Sequence, residues 1–284
     1  MPHPAGETLQ HALVRLQERL GGTLGVAATA LGPGPEPVAF QARIAFPAAS
    51  TIKVFVLQAL LEQVATGALA LDQERTLEAD DRVTGSGVLK ALTPGGRYRL
   101  HDLATLMIVV SDNTATNLLI DLLGVATVNE VARAHGWHDT SLAGPLQRPS
   151  ASGAPPTSRS TTSPADLADY FRRLWLDELL PPPLAELARA IYRRQQLTDQ
   201  LGRNLPFDRY STETGGSDLV IASKSGSLRG VRNDAGVIAR GETGFALAVM
   251  TRDCPDERFH PDNLGSLVVS EVSKLLFDHY LTRV

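Results

Sequence analysis

The chain has 284 residues, is 43% hydrophobic and carries 27 Lys and Arg against 31 Asp and Glu, a net charge of −4. That much apolar sequence supports a sizeable core and about two structural units of roughly 150 residues each, while the slightly acidic balance, with no long block of like charge, excludes a nucleic-acid partner. Cys254 is the single cysteine, which excludes an intramolecular disulfide, and no apolar run reaches the roughly 18 residues of a membrane span, so no membrane association is expected.

The N-terminal stretch MPHPAGETLQHALVRLQERL has no continuous apolar core of the signal-peptide kind. A cytoplasmic location is expected from it, or a periplasmic or secreted one if a leader has been removed. Residues 7 to 20 repeat apolar positions at helical spacing, and short apolar runs at 24 to 31 and 37 to 43 read as strands joined by the turn GPGPEP. From 51 to about 194 the pattern is almost all helical, with helices at 51 to 66, 101 to 110, 113 to 123, 126 to 135, 164 to 176 and 183 to 196. The proline run Pro181 to Pro183 reads as a linker between the last two. Residues 140 to 163, rich in Ser, Pro, Gly and Thr, are too long for an ordinary connection and mark a functional loop or disorder. Strand patterns return in DLVIASKSG, NDAGVIAR and GFALAVMTR, and an amphipathic helix over 262 to 282 follows. Strands at both ends with helices between predict one α/β layer assembled from the two ends of the chain and a helical unit inserted in the middle.

Only four of the 27 basic residues are lysines: Lys53, Lys90, Lys224 and Lys274. Arginine keeps its proton at ordinary pH, whereas a buried lysine can release it, so a lysine retained in an arginine-rich chain is a candidate for proton chemistry. Lys90 and Lys274 are read as chance placements. Lys53 stands three residues after Ser50 in FPAASTIKVFVLQALLEQ, on a helix apolar enough to be a core helix, so the two side chains share a face. Serine is a poor nucleophile unless a neighbouring base takes its proton, and a lysine desolvated beside a second cation has the lowered pKa that role requires. Ser50 at a helix N-terminus would also offer its own backbone N–H to an oxyanion.

Two further stretches belong with this pair: Ser111-Asp112-Asn113 between two helices, and Lys224-Ser225-Gly226 at the end of a strand that reads as a sheet edge. Each alone is a weak signal. In this order and context they are the set found in class A β-lactamases and penicillin-binding serine hydrolases, and the sequence resembles that family. The resemblance extends over nearly the whole chain, through LATLMIVVSDNTATNLLI, RSTTSPADLADYFRRL and SLRGVRNDAGVI.

The resemblance implies an α/β fold: a five-stranded antiparallel sheet flanked by helices, formed by residues 1–45 and 197–284, beside an all-helical domain over 46–196, with the active site between them. It implies a serine hydrolase that forms an acyl-enzyme at Ser50 on β-lactams or related amides and esters, with Lys53 as base. Ser111 would pass a proton to the leaving nitrogen, Asn113 would bind the substrate's amide side chain, and Lys224, Ser225 and Arg232 would hold its carboxylate. The N–H of Ser227, after Gly226, would supply the second oxyanion donor. No cofactor or metal is implied; the partner is a small-molecule substrate, and a monomer is expected.

One position departs from the family pattern. The glutamate that activates the deacylating water in these β-lactamases falls on Leu146 counting forward from Gly136, and on Gln147 counting back from RSTTSP. No Glu occurs between Glu130 and Glu178; Asp139 and Asp166 are the nearest acids. A glutamine orients water but cannot take its proton, and general-base help is worth about 10²–10⁴-fold, so deacylation is expected to be slow unless another base, Lys53 first, reaches the water. A penicillin-binding D-alanyl peptidase or esterase is the alternative within the family, and a ligand-binding module without turnover the alternative outside it. His135, His138 and Asp139 could begin a metal site but lack a completing cluster, and Gly85 to Leu89 is too short for a phosphate loop and is expected to line the cleft opposite Ser111.

Overall fold

The computed structural model describes residues 8–148, 159–208 and 218–282; residues 149–158 of the expected long loop lie outside them. Helix α1 (Leu9–Leu20) is capped by the Thr8 hydroxyl and ends on Gly21 in the left-handed conformation. Strands β1 (Thr23–Ala30) and β2 (Val38–Phe40) follow, and β7 (Leu219–Leu228), β8 (Val231–Arg240) and β9 (Thr243–Arg252) complete an antiparallel sheet of order β2-β1-β9-β8-β7. The sheet thus joins the two ends of the chain, as the strand patterns predict, and β7 is an edge.

Alternation along each strand sorts the sheet into two unlike faces. Phe245, Leu247 and Val249 of β9, with Leu24, Val26, Ile221 and Ile238, pack beneath α1 and the last helix, α8 (Leu264–Leu281). The opposite face carries mostly small side chains, Ala27, Ala222, Ala235, Ala246 and Ala248, with Val237 and Met250 among them. Helix α6 (Pro164–Trp175) lies directly on that face, against β1, β8 and β9.

The helical part is organised around α2 (Lys53–Ala65), buried without interruption from Lys53 to Leu61 and packed against α3 (Leu100–Val109), α4 (Asn113–Leu123), α5 (Val125–Ala134) and α7 (Pro182–Arg193). A helix apolar all round has to be a core helix. An aromatic cluster fills the far side, with Phe55 5.2 Å and Tyr170 5.5 Å from Trp137 between ring centroids. A small ribbon of β4 (Glu74–Thr76) and β5 (Arg97–Arg99) leads directly into α3.

Three expectations change. The helix predicted from residue 51 begins as a 3₁₀ turn over Ala49–Ile52, and the α-helix proper starts at Lys53. The proline run does not link helices but opens one: Pro182 is the first residue of α7, where a missing N–H costs nothing because it would have no intrahelical acceptor. The described part of the 140 to 163 stretch is firmly held. β3 (Phe46–Pro47) pairs with β6 (Thr161–Thr162), Ser141 bridges Thr161, and two asparagines each grip one loop residue by both backbone groups. Asn129 bonds Leu142 at 2.7 and 3.0 Å, and Asn117 bonds Leu146 at 2.7 and 2.8 Å.

Candidate active site

Ser50 lies in the 3₁₀ turn and Lys53 at the first position of α2. With three residues per turn, side chains three apart eclipse one another, so the turn aligns the pair more closely than an α-helix would. Lys53 is nevertheless not hydrogen-bonded to Ser50. Its Nζ donates to Ser111 O at 2.7 Å, Ser111 Oγ at 3.0 Å and Asn113 Oδ1 at 2.9 Å, so the second predicted motif receives it.

Ser111 adopts φ +55°, uncommon for a residue with a side chain. Its carbonyl accepts both Lys53 Nζ and the Ser86 hydroxyl, the latter at 2.8 Å, and these bonds hold the left-handed turn. Asp112 caps α4 through Ala115 N at 2.9 Å while its other oxygen takes the N–H groups of Val88 and Leu89 at 2.6 and 2.8 Å. Asn113 Nδ2 donates to Thr84 O at 3.0 Å. The Gly85 to Leu89 stretch is therefore fastened to the Ser111 segment rather than facing it across the cleft, because Asp112 needs its amides. Thr84, Gly85, Arg82 and Lys90 line an open cleft of about 410 Å³ at this end.

From the sheet side, Lys224 of β7 reaches Ser111 Oγ at 3.1 Å and the Ser225 carbonyl at 2.6 Å. The Ser111 hydroxyl is thus the meeting point of two lysines, both completely buried. Burial, reinforced by the Lys224 charge, holds the Lys53 ammonium well below its ordinary pKa, with Asp112 pulling the other way. Burial likewise lowers Lys224, to about 7, against the attraction of Asp234. Asp234 itself is pushed up by burial, partly offset by Leu201 N and Lys224. Two ammonium groups that share one hydroxyl in a dry site cannot both keep their protons easily.

The third segment closes on the Ser50 turn by backbone contact. A Cβ at Gly226 would stand 2.8 Å from Ser50 N and 3.0 Å from Thr51 N, distances only glycine permits. Ser225 is buried beside it, and Ser227 lines a second cleft of about 210 Å³ together with Arg232, Phe259 and His260. Arg232 borders this space with its guanidinium already engaged: Nη1 donates to Leu228 O and Val231 O at 2.7 Å each, Nη2 donates to Arg258 O, and the Phe259 ring covers it at 5.0 Å.

Lys53, Ser111, Asn113 and Lys224 therefore meet directly and Gly226 abuts Ser50, while Ser225 lies beside Gly226 on β7 and Ser227 and Arg232 line the second cleft. Neither Leu146 nor Gln147 supplies a carboxylate. Asp166 is held at the loop base by Thr140 Oγ1 at 2.8 Å and Asp139 N at 3.0 Å, and burial raises its pKa. His135 is tied to Glu62 at 2.6 Å and stacks on Trp137; among the described residues no group of three or more His, Cys, Asp or Glu is arranged to hold a metal ion. Sequence reasoning missed Asn117, Asn129 and Asn233, polar residues whose partners are distant backbone groups and which no local pattern announces.

A family model described as the beta-lactamase enzyme family matches residues 7–280. A β-lactamase of Amycolatopsis lactamdurans is 30% identical over 87% of this chain and 78% of its own length. A β-lactamase structure from Sphaerobacter thermophilus superposes with a TM-score of 0.83 at 32% identity, covering 94% of this chain and 95% of that one. The penicillin-binding protein PBP-A superposes with a TM-score of 0.79 at 28% identity over 98% of both chains, and a mutant of it was solved as an acyl-enzyme complex with penicillin G.

Proposed function

Because the chain belongs to the beta-lactamase enzyme family, we propose that it is a serine hydrolase that opens β-lactams through an acyl-enzyme at Ser50 and releases the product slowly. The observation that carries this reading is the Ser111 hydroxyl held between Lys53 Nζ at 3.0 Å and Lys224 Nζ at 3.1 Å. Lys53, its pKa lowered by burial and by the Lys224 charge, takes the Ser50 proton in its neutral form as Oγ attacks the carbonyl. The N–H groups of Ser50 and Ser227 receive the oxyanion, worth about 10²–10³-fold for each donor. The proton passes from Lys53 through Ser111 Oγ to the departing ring nitrogen. Lys224 and Ser225 bind the substrate's carboxylate, with Arg232 adding field from the rim, and Asn113 binds the acyl amide. The substrate is a small molecule.

Slow release follows from the loop. Leu146 and Gln147 stand where a general base would be needed, and that base is worth about 10²–10⁴-fold. This favours a penicillin-binding enzyme of the D-alanyl peptidase or esterase kind over an efficient β-lactamase. The test is to mix the protein with benzylpenicillin and a chromogenic cephalosporin and follow hydrolysis and intact mass together. A long-lived adduct absent in Ser50→Ala supports the proposal; rapid turnover without an adduct refutes the slow-release part, and neither signal refutes the β-lactam reading.

A further inference from the structure

The segment leading into the nucleophile runs across the sheet rather than along it. In register, Gly25 of β1 opposes Met250 of β9, Met250 opposes Asn233 of β8, and Asn233 opposes Gly226 of β7. Directly opposed residues share a face, so these four form one row across four strands on the small-residue side of the sheet. Residues 46 to 50 are laid along that row. The Phe46 ring occupies the space over Gly25, where a Cβ would come within 2.6 Å of it, and Ser50 N lies 2.8 Å from the Cβ position of Gly226.

Between the two glycines, Asn233 is the one residue of the row with hydrogen-bonding side-chain atoms, and it is completely buried. Its Nδ2 donates to Pro47 O at 2.9 Å and Ala48 O at 3.3 Å, and its Oδ1 accepts Thr251 N at 3.1 Å. These partners fix the amide's orientation. The residue after the two gripped carbonyls is Ala49, at φ +49°, a strained conformation for a residue with a Cβ. Thr51 ties the same turn back to Ala48 O through both its N–H, at 3.1 Å, and its hydroxyl, at 2.6 Å.

We propose that Asn233 is a positioning residue for the acylation step: by holding the carbonyls of Pro47 and Ala48 against the sheet, it keeps Ala49 in its left-handed conformation and so aims the Ser50 hydroxyl and N–H. The assignment rests on the β-lactam reading of the site, because acylation is its readout. Glycine adopts a positive φ freely, so the strain at Ala49 and the bonds of Asn233 form a matched pair, and relieving the first should offset loss of the second.

The experiment measures the acylation rate constant at saturating benzylpenicillin by quenched-flow intact mass, for the full chain, Asn233→Ala, Ala49→Gly and the double variant. Asn233→Ala should acylate roughly 10²-fold more slowly, the scale expected for a misplaced reacting group, with little change in the penicillin concentration giving half the maximal rate. Adding Ala49→Gly should restore roughly tenfold of that loss, the equivalent of the strain relieved. A purely structural role would lower the melting temperature without such rescue. If Asn233→Ala does not fold, Asn233→Ser takes its place in the same cycle. Acylation at the parental rate without the Asn233 amide, or a double variant no faster than the single one, overturns the proposal. A parental protein that penicillin never acylates instead overturns the β-lactam reading, so the two failures are distinct.

Discussion

If release is slow as proposed, Leu146→Glu should speed it. Asn117 follows Asn113 by one turn of α4, about 6 Å along the helix axis, and on the same face. Asn113 Oδ1 is 2.9 Å from Lys53 Nζ, and Asn117 holds the Leu146 backbone by two bonds of 2.7 and 2.8 Å. A glutamate at 146 would therefore start from a fixed backbone one helical turn from the Asn113 that holds Lys53, and its side chain has the length to approach a water at the acyl carbonyl. General-base assistance predicts deacylation faster by about 10²–10⁴-fold. The assay is to acylate with benzylpenicillin, remove the excess and follow return of the unmodified mass. Gln147→Glu is the control: Gln147 has φ +54° and follows the residue whose backbone Asn117 grips, so it should accelerate release much less. A folded Leu146→Glu protein whose adduct decays at the parental rate would refute both the alignment of the loop and the explanation of slow release.

Lys53→Met should abolish rapid acylation, by at least about 10²-fold, and the parental acylation rate should fall with decreasing pH as Lys53 gains its proton, at a pH lower than an ordinary lysine would give; a pH-independent rate from 6 to 10 would contradict the base assignment. Lys224 is lowered to about 7 from 10.5, so between those pH values the unfolded chain binds a proton there that the folded one does not. Its burial thus opposes folding fully below about pH 7 and progressively less as pH rises toward 10.5. Lys224→Met should accordingly be less active yet more stable, on the order of 3 kcal/mol at neutral pH after the lost hydrogen bonds are subtracted, with the gain shrinking by pH 10 in denaturant titrations. Gly226→Ala forces a Cβ to 2.8 Å from Ser50 N, so acylation should drop at least about tenfold with a lower melting temperature; an unchanged rate would mean that the turn and β7 move independently.

Much of this was legible in the chain because the chemistry-bearing residues come in short local groups. Ser50 and Lys53, Ser111 to Asn113 and Lys224 to Gly226 each declare themselves within three or four positions, and period-two apolar runs declare the strands. What could not be read depends on register. That Asn233 opposes Gly226, and Met250 opposes Gly25, is set by the pairing of strands, and a one-residue slip would send Asn233 to the other face. The grip of Asn117 on Leu146 likewise joins a helix to a loop 29 residues away. The 3₁₀ start of the helix that carries Lys53 is hidden because apolar spacing over one turn does not separate three residues per turn from 3.6. Arg232 is assigned to the substrate by motif alone; two of the carbonyls that occupy it, those of Leu228 and Val231, lie in the same stretch, but the third, of Arg258, comes from a distant segment that no local pattern connects to it.

The position of β1 between β2 and β9 has a consequence for how the enzyme comes into being. β1 leaves the ribosome early and its neighbour β9 late, and at 5–20 residues per second the gap is roughly 10–40 s. Throughout that interval one flank of β1 carries backbone amides and carbonyls without their final partner, an edge open to pairing with other chains. The crossing that delivers Ser50 onto β7 and β8 has no surface to land on until both hairpins exist. A nascent chain stalled before β9 would carry every predicted catalytic residue and still be inert, so catalytic competence should be acquired in a single late event of synthesis.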